Sequence, residues 1–267
     1  MRASETLDDL SVEPPLRIRP GVMAQRWEQL SFLHWPFEPD VVTRLLPDAL
    51  TIDEHDGSAW VGVIPFRLTV GLPGVPSVPW ASRFPEVNVR TYVRGPNGRR
   101  GIWFLSLDAS RLGAVLVARA TYRLPYVWAR ARTRRAGRDV RYKGVRRWPG
   151  AAPARFEIGV RVGDRISSPS ELERFLTCRW RLYSPRPLEL PAARIGLDVT
   201  AVDHPPWPLF AAEAVDVEET LLAAAGLPAP DRAPITLYSP GVSVRFDRRR
   251  EATPSRAHTT VSASTGA

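Results

Sequence analysis

Apolar and polar residues alternate with a period of two through much of this chain, as expected for β-strands whose successive side chains point to opposite faces. Short runs of this kind are separated by many of the 27 prolines. The pattern predicts ten strands, at residues 27–33, 59–66, 87–93, 102–107, 127–133, 140–145, 156–162, 179–183, 197–202 and 242–246. So many short strands favour a mainly β (α+β) protein built on a large antiparallel sheet or barrel.

Helix signals interrupt the strands at three places, and a fourth segment has helical spacing. In the clearest helix, Ser168 is the predicted N-cap, Pro169 takes the first helical position, Glu171 completes a capping box, and the helix ends near Cys178. The other predicted helices cover residues 39–47, 110–122 and 218–225. Three to four helices are therefore expected to pack on the sheet.

The length of 267 residues is compatible with a single core near its upper size limit. We predict one domain at residues 20–248, flanked by disordered tails at 1–19 and 249–267 that are polar and lack apolar periodicity. The N-terminus has no apolar core typical of a secretion signal, and no run approaches the roughly 18 apolar residues of a membrane span. These features predict a cytoplasmic protein without a membrane partner.

One strand carries polar residues on a whole face. In residues 84–93, Glu86, Asn88 and Arg90 point one way, and Val87 and Val89 point the other. Successive residues of the row lie about 6.6 Å apart, at roughly 3.3 Å per residue. The row is a candidate lining for a ligand cavity; the alternative is a half-exposed strand with a solvated Glu/Arg pair.

Positive charge is concentrated in one stretch. Residues 130–165 contain twelve basic and three acidic side chains, an excess equal to the net charge of +9 of the whole chain. Arg130, Arg132 and Arg134 alternate with small residues, which predicts a hairpin with a basic, solvated outer face. Because no nucleic-acid motif or aromatic stacking platform accompanies it, no specific nucleic-acid partner is predicted.

Familiar catalytic signatures are absent. There is no G-x-S-x-G elbow, glycine-rich phosphate loop, H-E-x-x-H motif or cysteine pair. The one cysteine, Cys178, is expected to be a buried apolar residue, and the four histidines are too dispersed to predict a metal site. Among them, His204 lies in a proline-rich segment that either walls a pocket or pins a loop. No metal or other cofactor is predicted.

Several segments together resemble a known family. They are Phe32-Leu33-His34-Trp35-Pro36, Leu45-Leu46-Pro47, Ala59-Trp60-Val61-Gly62-Val63-Ile64-Pro65-Phe66, residues 84–93, Gly101-Ile102-Trp103-Phe104-Leu105-Ser106, Leu124-Pro125-Tyr126, Arg181-Leu182-Tyr183-Ser184 and His204-Pro205-Pro206-Trp207-Pro208. Over residues 20–248 the chain resembles the YqjF-like family of uncharacterised bacterial proteins. That family in turn resembles acetoacetate decarboxylase, which implies an antiparallel cone or barrel with packed helices and an internal pocket.

The resemblance also implies site residues. Glu86 matches the position of an active-site glutamate of acetoacetate decarboxylase, and Arg26 resembles the arginine that binds the substrate carboxylate. Tyr126 and Val127 stand where the decarboxylase has its pair of lysines, one of which forms a Schiff base. The only lysine here, Lys143, lies in the basic hairpin. A Schiff-base mechanism is therefore not expected.

Two function classes stay open at this stage. In the first, the protein is an enzyme, a lyase- or isomerase-like acid/base catalyst in which Glu86 moves a proton and Asn88, Arg90, Arg26, Tyr126 and His204 bind a small carbonyl or carboxylate metabolite. In the second, it binds a ligand or a partner without chemistry, and Glu86 and Arg90 neutralise each other. Weak polyanion binding by the basic hairpin is a third reading, and a homo-oligomer stays open.

Overall fold

The computed structural model describes residues 10–19, 21–71, 83–148, 150–186 and 196–253. The strands are β1 (Met23–Phe37), β2 (Thr51–Ile52), β3 (Ala59–Gly71), β4 (Arg83–Arg94), β5 (Arg100–Ala109), β6 (Tyr126–Ala136), β7 (Asp139–Arg146), β8 (Arg155–Arg165), β9 (Arg181–Pro185), β10 (Leu197–Asp203), β11 (Phe210–Glu219), β12 (Ile235–Phe246) and β13 (Arg250–Glu251). The helices are α1 (Pro39–Thr43), α2 (Leu112–Tyr122), α3 (Glu171–Thr177) and α4 (Leu221–Ala224).

Nine of these strands pair in a closed ring, in the order β5, β6, β7, β8, β11, β12, β1, β3, β4 and back to β5. All pairings in the ring are antiparallel except β5 with β6, which is parallel. The predicted mainly β barrel with three to four helices is therefore confirmed.

A second ring of seven strands shares one wall with the first. Strand β5 also pairs with β9, β9 with β10, and β10 with β12, which closes a ring through β1, β3 and β4. Strand β4, which lies in this shared wall, is buried on both faces: Val87 and Val89 pack into the apolar core of the nine-stranded ring, whereas Phe84 packs into a different cluster. Apart from its ends, β4 therefore exposes neither face to water.

Two local predictions needed correction. The N-cap of α3 is Ser170, whose side chain and that of Glu173 form the capping box, so the predicted cap at Ser168 was two residues too early. The helix predicted at 218–225 is reduced to α4, because Glu218 and Glu219 belong to β11 and pair with β8 instead. Alanine and glutamate favour helix in isolation, and the sheet overrides that preference here.

The packed part of the chain extends beyond the predicted domain boundaries. The backbone N–H of Ile18, a buried residue, donates to the buried carboxylate of Asp203 at 3.0 Å. Beyond residue 248, β13 pairs with β10. Residues 1–9 and 254–267 of the predicted tails lie outside the described residues.

Candidate ligand site

A cavity lies within the seven-stranded ring, between its strands and helix α2. Its volume is about 180 Å³. Its wall is mostly aliphatic and aromatic, which is typical of a small-molecule site. The titratable side chains in the wall are those of Glu86, Arg90, Tyr122, Tyr126, Arg179 and His204.

Strand β4 supplies the polar row of the wall. Glu86, Asn88 and Arg90 all line the cavity, and each is at most 6% exposed. On neighbouring β5, the pairing register shifts by one residue opposite Val89 and Arg90. This irregularity lets Leu107 and Phe104, three residues apart, both face the cavity, which strict alternation would not allow.

Regular alternation along strand β1 corrects the prediction for Arg26. Met23, Gln25 and Trp27 line the cavity, so the alternation turns Arg26 outward. Its side chain is 65% exposed, and its nearest charged partner is Glu28, at 3.6 Å. Arg26 is not a residue of this cavity.

Glu86 and Tyr126 form the acidic end of the cavity. The Tyr126 hydroxyl donates a hydrogen bond to Glu86 Oε2 at 3.2 Å. Burial is the main cause that raises the pKa of Glu86 to about 8, and the nearby charge of Asp108 adds to it, while the bond from Tyr126 lowers it. At neutral pH the carboxyl group is therefore mostly protonated, and it can donate a hydrogen bond or a proton.

The carboxylate of Asp108 lies behind this end, outside the cavity. Arg146 binds it with two hydrogen bonds, from Nε at 2.6 Å and from Nη2 at 3.0 Å. Both side chains are almost completely buried. Through these two hydrogen bonds, the charge of Asp108 is compensated by Arg146 and not by Glu86.

Arg90 lies at the other end of the polar row. Its Nη2 donates to the carbonyl oxygen of Leu176 at 3.2 Å and to the hydroxyl of Tyr92 at 3.5 Å. The carbonyls at the C-terminal end of α3 carry partial negative charge, which favours a cation there. No carboxylate among the described residues lies within 4 Å of Arg90.

Arg179 brings a second guanidinium to the same end. It is clamped between two rings, with Cζ 4.6 Å from the centroid of Tyr92 and 4.3 Å from that of Phe175. Its Nη1 donates to Asp53 at 2.6 Å, and its Nε donates to the carbonyl of Phe175 at 2.8 Å. The Arg90 guanidinium faces the same Tyr92 ring, at 5.7 Å. Arg179 was not predicted from the sequence, because its partner Asp53 is 126 residues away and no local motif indicates the pair.

Polar atoms at this cationic end lack partners. Within the described residues, Asn88 Oδ1, Arg90 Nε and Arg179 Nη2 are buried and accept or donate no hydrogen bond. Buried polar groups normally have partners, and an unpartnered charged group costs the most. Asp53 is the carboxylate partner of Arg179 at this end, and Arg90 has no such partner within 4 Å among the described residues.

His204 is in the cavity wall as a neutral side chain. Its ring lies between Trp180 and Trp207, with centroids 4.4 and 4.6 Å away. Burial lowers the pKa of His204 to about 4, with a smaller contribution from the charge of Arg90. The structure thus brings five of the six predicted site residues to one cavity and leaves Arg26 outside.

Other reactive groups lie elsewhere. Lys143 is half exposed on β7 and forms an ion pair with Glu157. Cys178 is buried, burial raises the pKa of its thiol, and it is not part of the cavity wall. In the described ranges, no three His, Cys, Asp or Glu side chains are grouped as metal ligands, and no helix is long and apolar enough to cross a membrane.

The chain belongs to the DUF2071 family of uncharacterised conserved proteins, whose family model matches residues 24–243. One relative is the uncharacterised protein YqjF of Bacillus subtilis, which is 34% identical over 231 residues, covering 84% of this chain and 90% of YqjF. The predicted YqjF-like family is thereby confirmed.

Solved structures place the fold in the acetoacetate decarboxylase-like class. The enduracididine biosynthesis enzyme MppR, complexed with pyruvate, matches with a TM-score of 0.62 at 14% identity, covering 90% of this chain and 93% of MppR. Acetoacetate decarboxylase from Legionella pneumophila matches with a TM-score of 0.59 at 12% identity, covering 94% and 97%. An acetoacetate decarboxylase-like enzyme from Sphingomonas wittichii gives 0.57 at 14%, covering 90% and 97%. At such identities the likeness shows the fold alone.

Proposed function

We propose that this protein binds a small organic carboxylate in the cavity of its seven-stranded ring and acts on it as a lyase- or isomerase-like acid/base catalyst. Arg90 and Arg179 bind the carboxylate, Asn88 orients the ligand, and Glu86 moves the proton. No Schiff base is formed, since Lys143 is outside the cavity and Tyr126 lies in the wall.

The observation that carries this proposal is the set of unpartnered donors at the cationic end. Two buried guanidinium groups have N–H donors without an acceptor, Arg90 Nε and Arg179 Nη2. Arg179 has Asp53 as its counter-charge, whereas Arg90 has no carboxylate within 4 Å among the described residues, and a buried cation without compensation is costly. A ligand carboxylate would supply both the missing acceptor and the missing charge. The complex of MppR with pyruvate supports an organic acid as the class of ligand, because MppR shares the fold.

The acidic end supports chemistry beyond binding. A general acid is most effective when its pKa lies near the working pH, and the pKa of Glu86, about 8, meets that condition. Tyr126 occupies Glu86 Oε2, which leaves Oε1 to carry the proton toward a ligand. The non-catalytic reading required Glu86 and Arg90 to neutralise each other, but their hydrogen bonds go to different partners.

The first test is calorimetric titration with hexanoate and with hexanamide, its neutral counterpart. We expect hexanoate to bind at least about tenfold more tightly, since a charged hydrogen bond contributes about 1.5–3 kcal/mol. Arg90→Met should abolish this preference. Arg132→Met, which changes an exposed arginine of β6, should leave it intact. Equal binding of hexanoate and hexanamide by the unmodified protein would contradict the proposal.

A further inference from the structure

We propose that the ligand is an oxo acid whose carbonyl group is separated from its carboxylate by several methylene groups, with the carboxylate at Arg90 and Arg179 and the carbonyl at Glu86. This inference rests on the proposed function and narrows its substrate class. A 2-oxo acid such as pyruvate, whose two groups are adjacent, would reach only one end of the cavity.

The backbone sets the separation of the two ends. Glu86 and Arg90 are four residues apart on one extended strand, which places their Cα atoms about 13 Å apart at roughly 3.3 Å per residue. The Arg90 guanidinium does not fold back toward Glu86. It binds Tyr92 and Leu176, and Tyr92 is two residues farther along the strand from Glu86.

The electrostatic contacts separate the ends in the same way. The charge of Arg90 contributes to lowering the pKa of both His34 and His204, after burial as the main cause. The pKa of Glu86 responds to burial, Tyr126 and Asp108. Each end therefore has its own set of partners.

The wall between the ends is apolar. Ile64 and Leu107 line the cavity on either side of Asn88, the residue of β4 midway between Glu86 and Arg90. Methylene groups fit such a wall because their burial is favourable by about 0.8 kcal/mol each. A chain with an anion at one end and a neutral acceptor near the other therefore matches both polar ends and the aliphatic side chains between them.

Protonated Glu86 would donate to the ligand carbonyl, and ionised Glu86 would not. The titratable and charged groups near it are Tyr126 of β6, Asp108 of β5 with its partner Arg146 of β7, and Tyr122 of α2 in the cavity wall. At the other end are Arg90, Arg179 and the two neutral histidines. Tyr122 lines the same cavity, so the variant Tyr122→Phe tests whether its hydroxyl contributes to the pH dependence of binding.

The experiment measures a carbonyl advantage, defined as the ratio of the dissociation constant of a plain carboxylate to that of the oxo acid of equal length. Calorimetry compares pyruvate with propanoate, 4-oxopentanoate with pentanoate, and 6-oxoheptanoate with heptanoate, at pH 6 and pH 9. We expect the advantage to be near one for pyruvate and at least about tenfold for the longest oxo acid at pH 6. At pH 9 it should fall severalfold, and Tyr122→Phe should show the same fall.

Glu86→Gln keeps a donor that does not titrate, so its carbonyl advantage should be the same at both pH values. An advantage that is largest for pyruvate, or independent of chain length, would overturn the inference while leaving carboxylate binding intact. If none of the six acids bound, the proposed function itself would fail. The comparison in the unmodified protein stands even if Glu86→Gln does not fold.

Discussion

Strands β4 and β6 have similar sequence patterns, but their charged residues differ in burial. Both alternate charged residues with small or apolar ones, yet Glu86 and Arg90 of β4 are buried, whereas Arg130, Arg132 and Arg134 of β6 are exposed. The difference comes from the neighbours: β4 lies in the wall shared by two rings, and β6 belongs to one ring only. Alternation tells which residues share a face, and strand pairing decides what that face meets.

The largest expected effect is on the ion pairs that support the buried end. Asp53→Asn should lower the free energy of unfolding by about 3–5 kcal/mol, because Arg179 would lose its buried partner. Asp139→Asn breaks an exposed ion pair between Asp139 of β7 and Arg161 of β8. It should lower the free energy of unfolding by no more than about 1 kcal/mol. Urea denaturation of both variants measures these two losses of stability. Equal losses would contradict the difference expected between the buried and the exposed ion pair.

Glu86→Gln should change the pH dependence of stability. The folded protein keeps the Glu86 proton up to a pKa of about 8, whereas the unfolded chain releases it near 4.5, so this carboxyl makes the protein less stable as the pH rises between those values. The amide does not titrate. Relative to the unmodified protein, the variant should therefore gain stability with pH, by up to a few kcal/mol at pH 9.

Thermal unfolding of both proteins at pH 5 and pH 9 measures this gain. Glu157→Gln provides the matched control on β8, since Glu157 is exposed and its pKa is lowered by Lys143. A melting-temperature difference between Glu86→Gln and the unmodified protein that did not grow with pH would show that Glu86 is ionised in the folded state.

Arg90→Met should raise the stability of the ligand-free protein by about 1–3 kcal/mol while removing carboxylate binding. The variant relieves an uncompensated buried cation, and Leu176 O still accepts a hydrogen bond from Tyr92. Arg132→Met should stay within about 0.5 kcal/mol of the unmodified protein. A destabilised Arg90→Met would indicate that the guanidinium is structural.

The smallest effect is expected for the binding of polyanions to strands β6, β7 and β8, which carry most of the basic residues of the stretch 130–165. Several of their arginines have acidic partners, such as Asp139 for Arg161 and Asp216 for Arg141. Oligonucleotides should bind at low salt concentration, and this binding should disappear at about 150 mM salt, where exposed charges are screened. Sub-micromolar binding at that salt concentration, abolished by replacing Arg130, Arg132 and Arg134, would establish a nucleic-acid site instead.

Periodicity and capping were enough to predict the β class and the helices near 39–47 and 110–122. They placed Glu86, Asn88 and Arg90 on one face, although only the pairing of β4 with β3 and β5 fixes what that face meets. The prediction for Arg26 came from the family resemblance alone, and the alternation of Gln25 and Trp27 into the cavity turns Arg26 outward. Arg179 could not be predicted, because its environment is assembled from Asp53, Tyr92 and Phe175, which are distant from one another in sequence.

Trp27 and Trp207, two residues of the cavity wall that stack on each other, give the cavity an optical property of its own. Their ring centroids are 6.0 Å apart and their planes are inclined by 20°. A ligand that entered would displace water beside two indole rings, whose emission depends on the polarity around them. Intrinsic fluorescence therefore reports occupancy of this cavity without any label, and Trp27→Phe separates its signal from that of the other tryptophans.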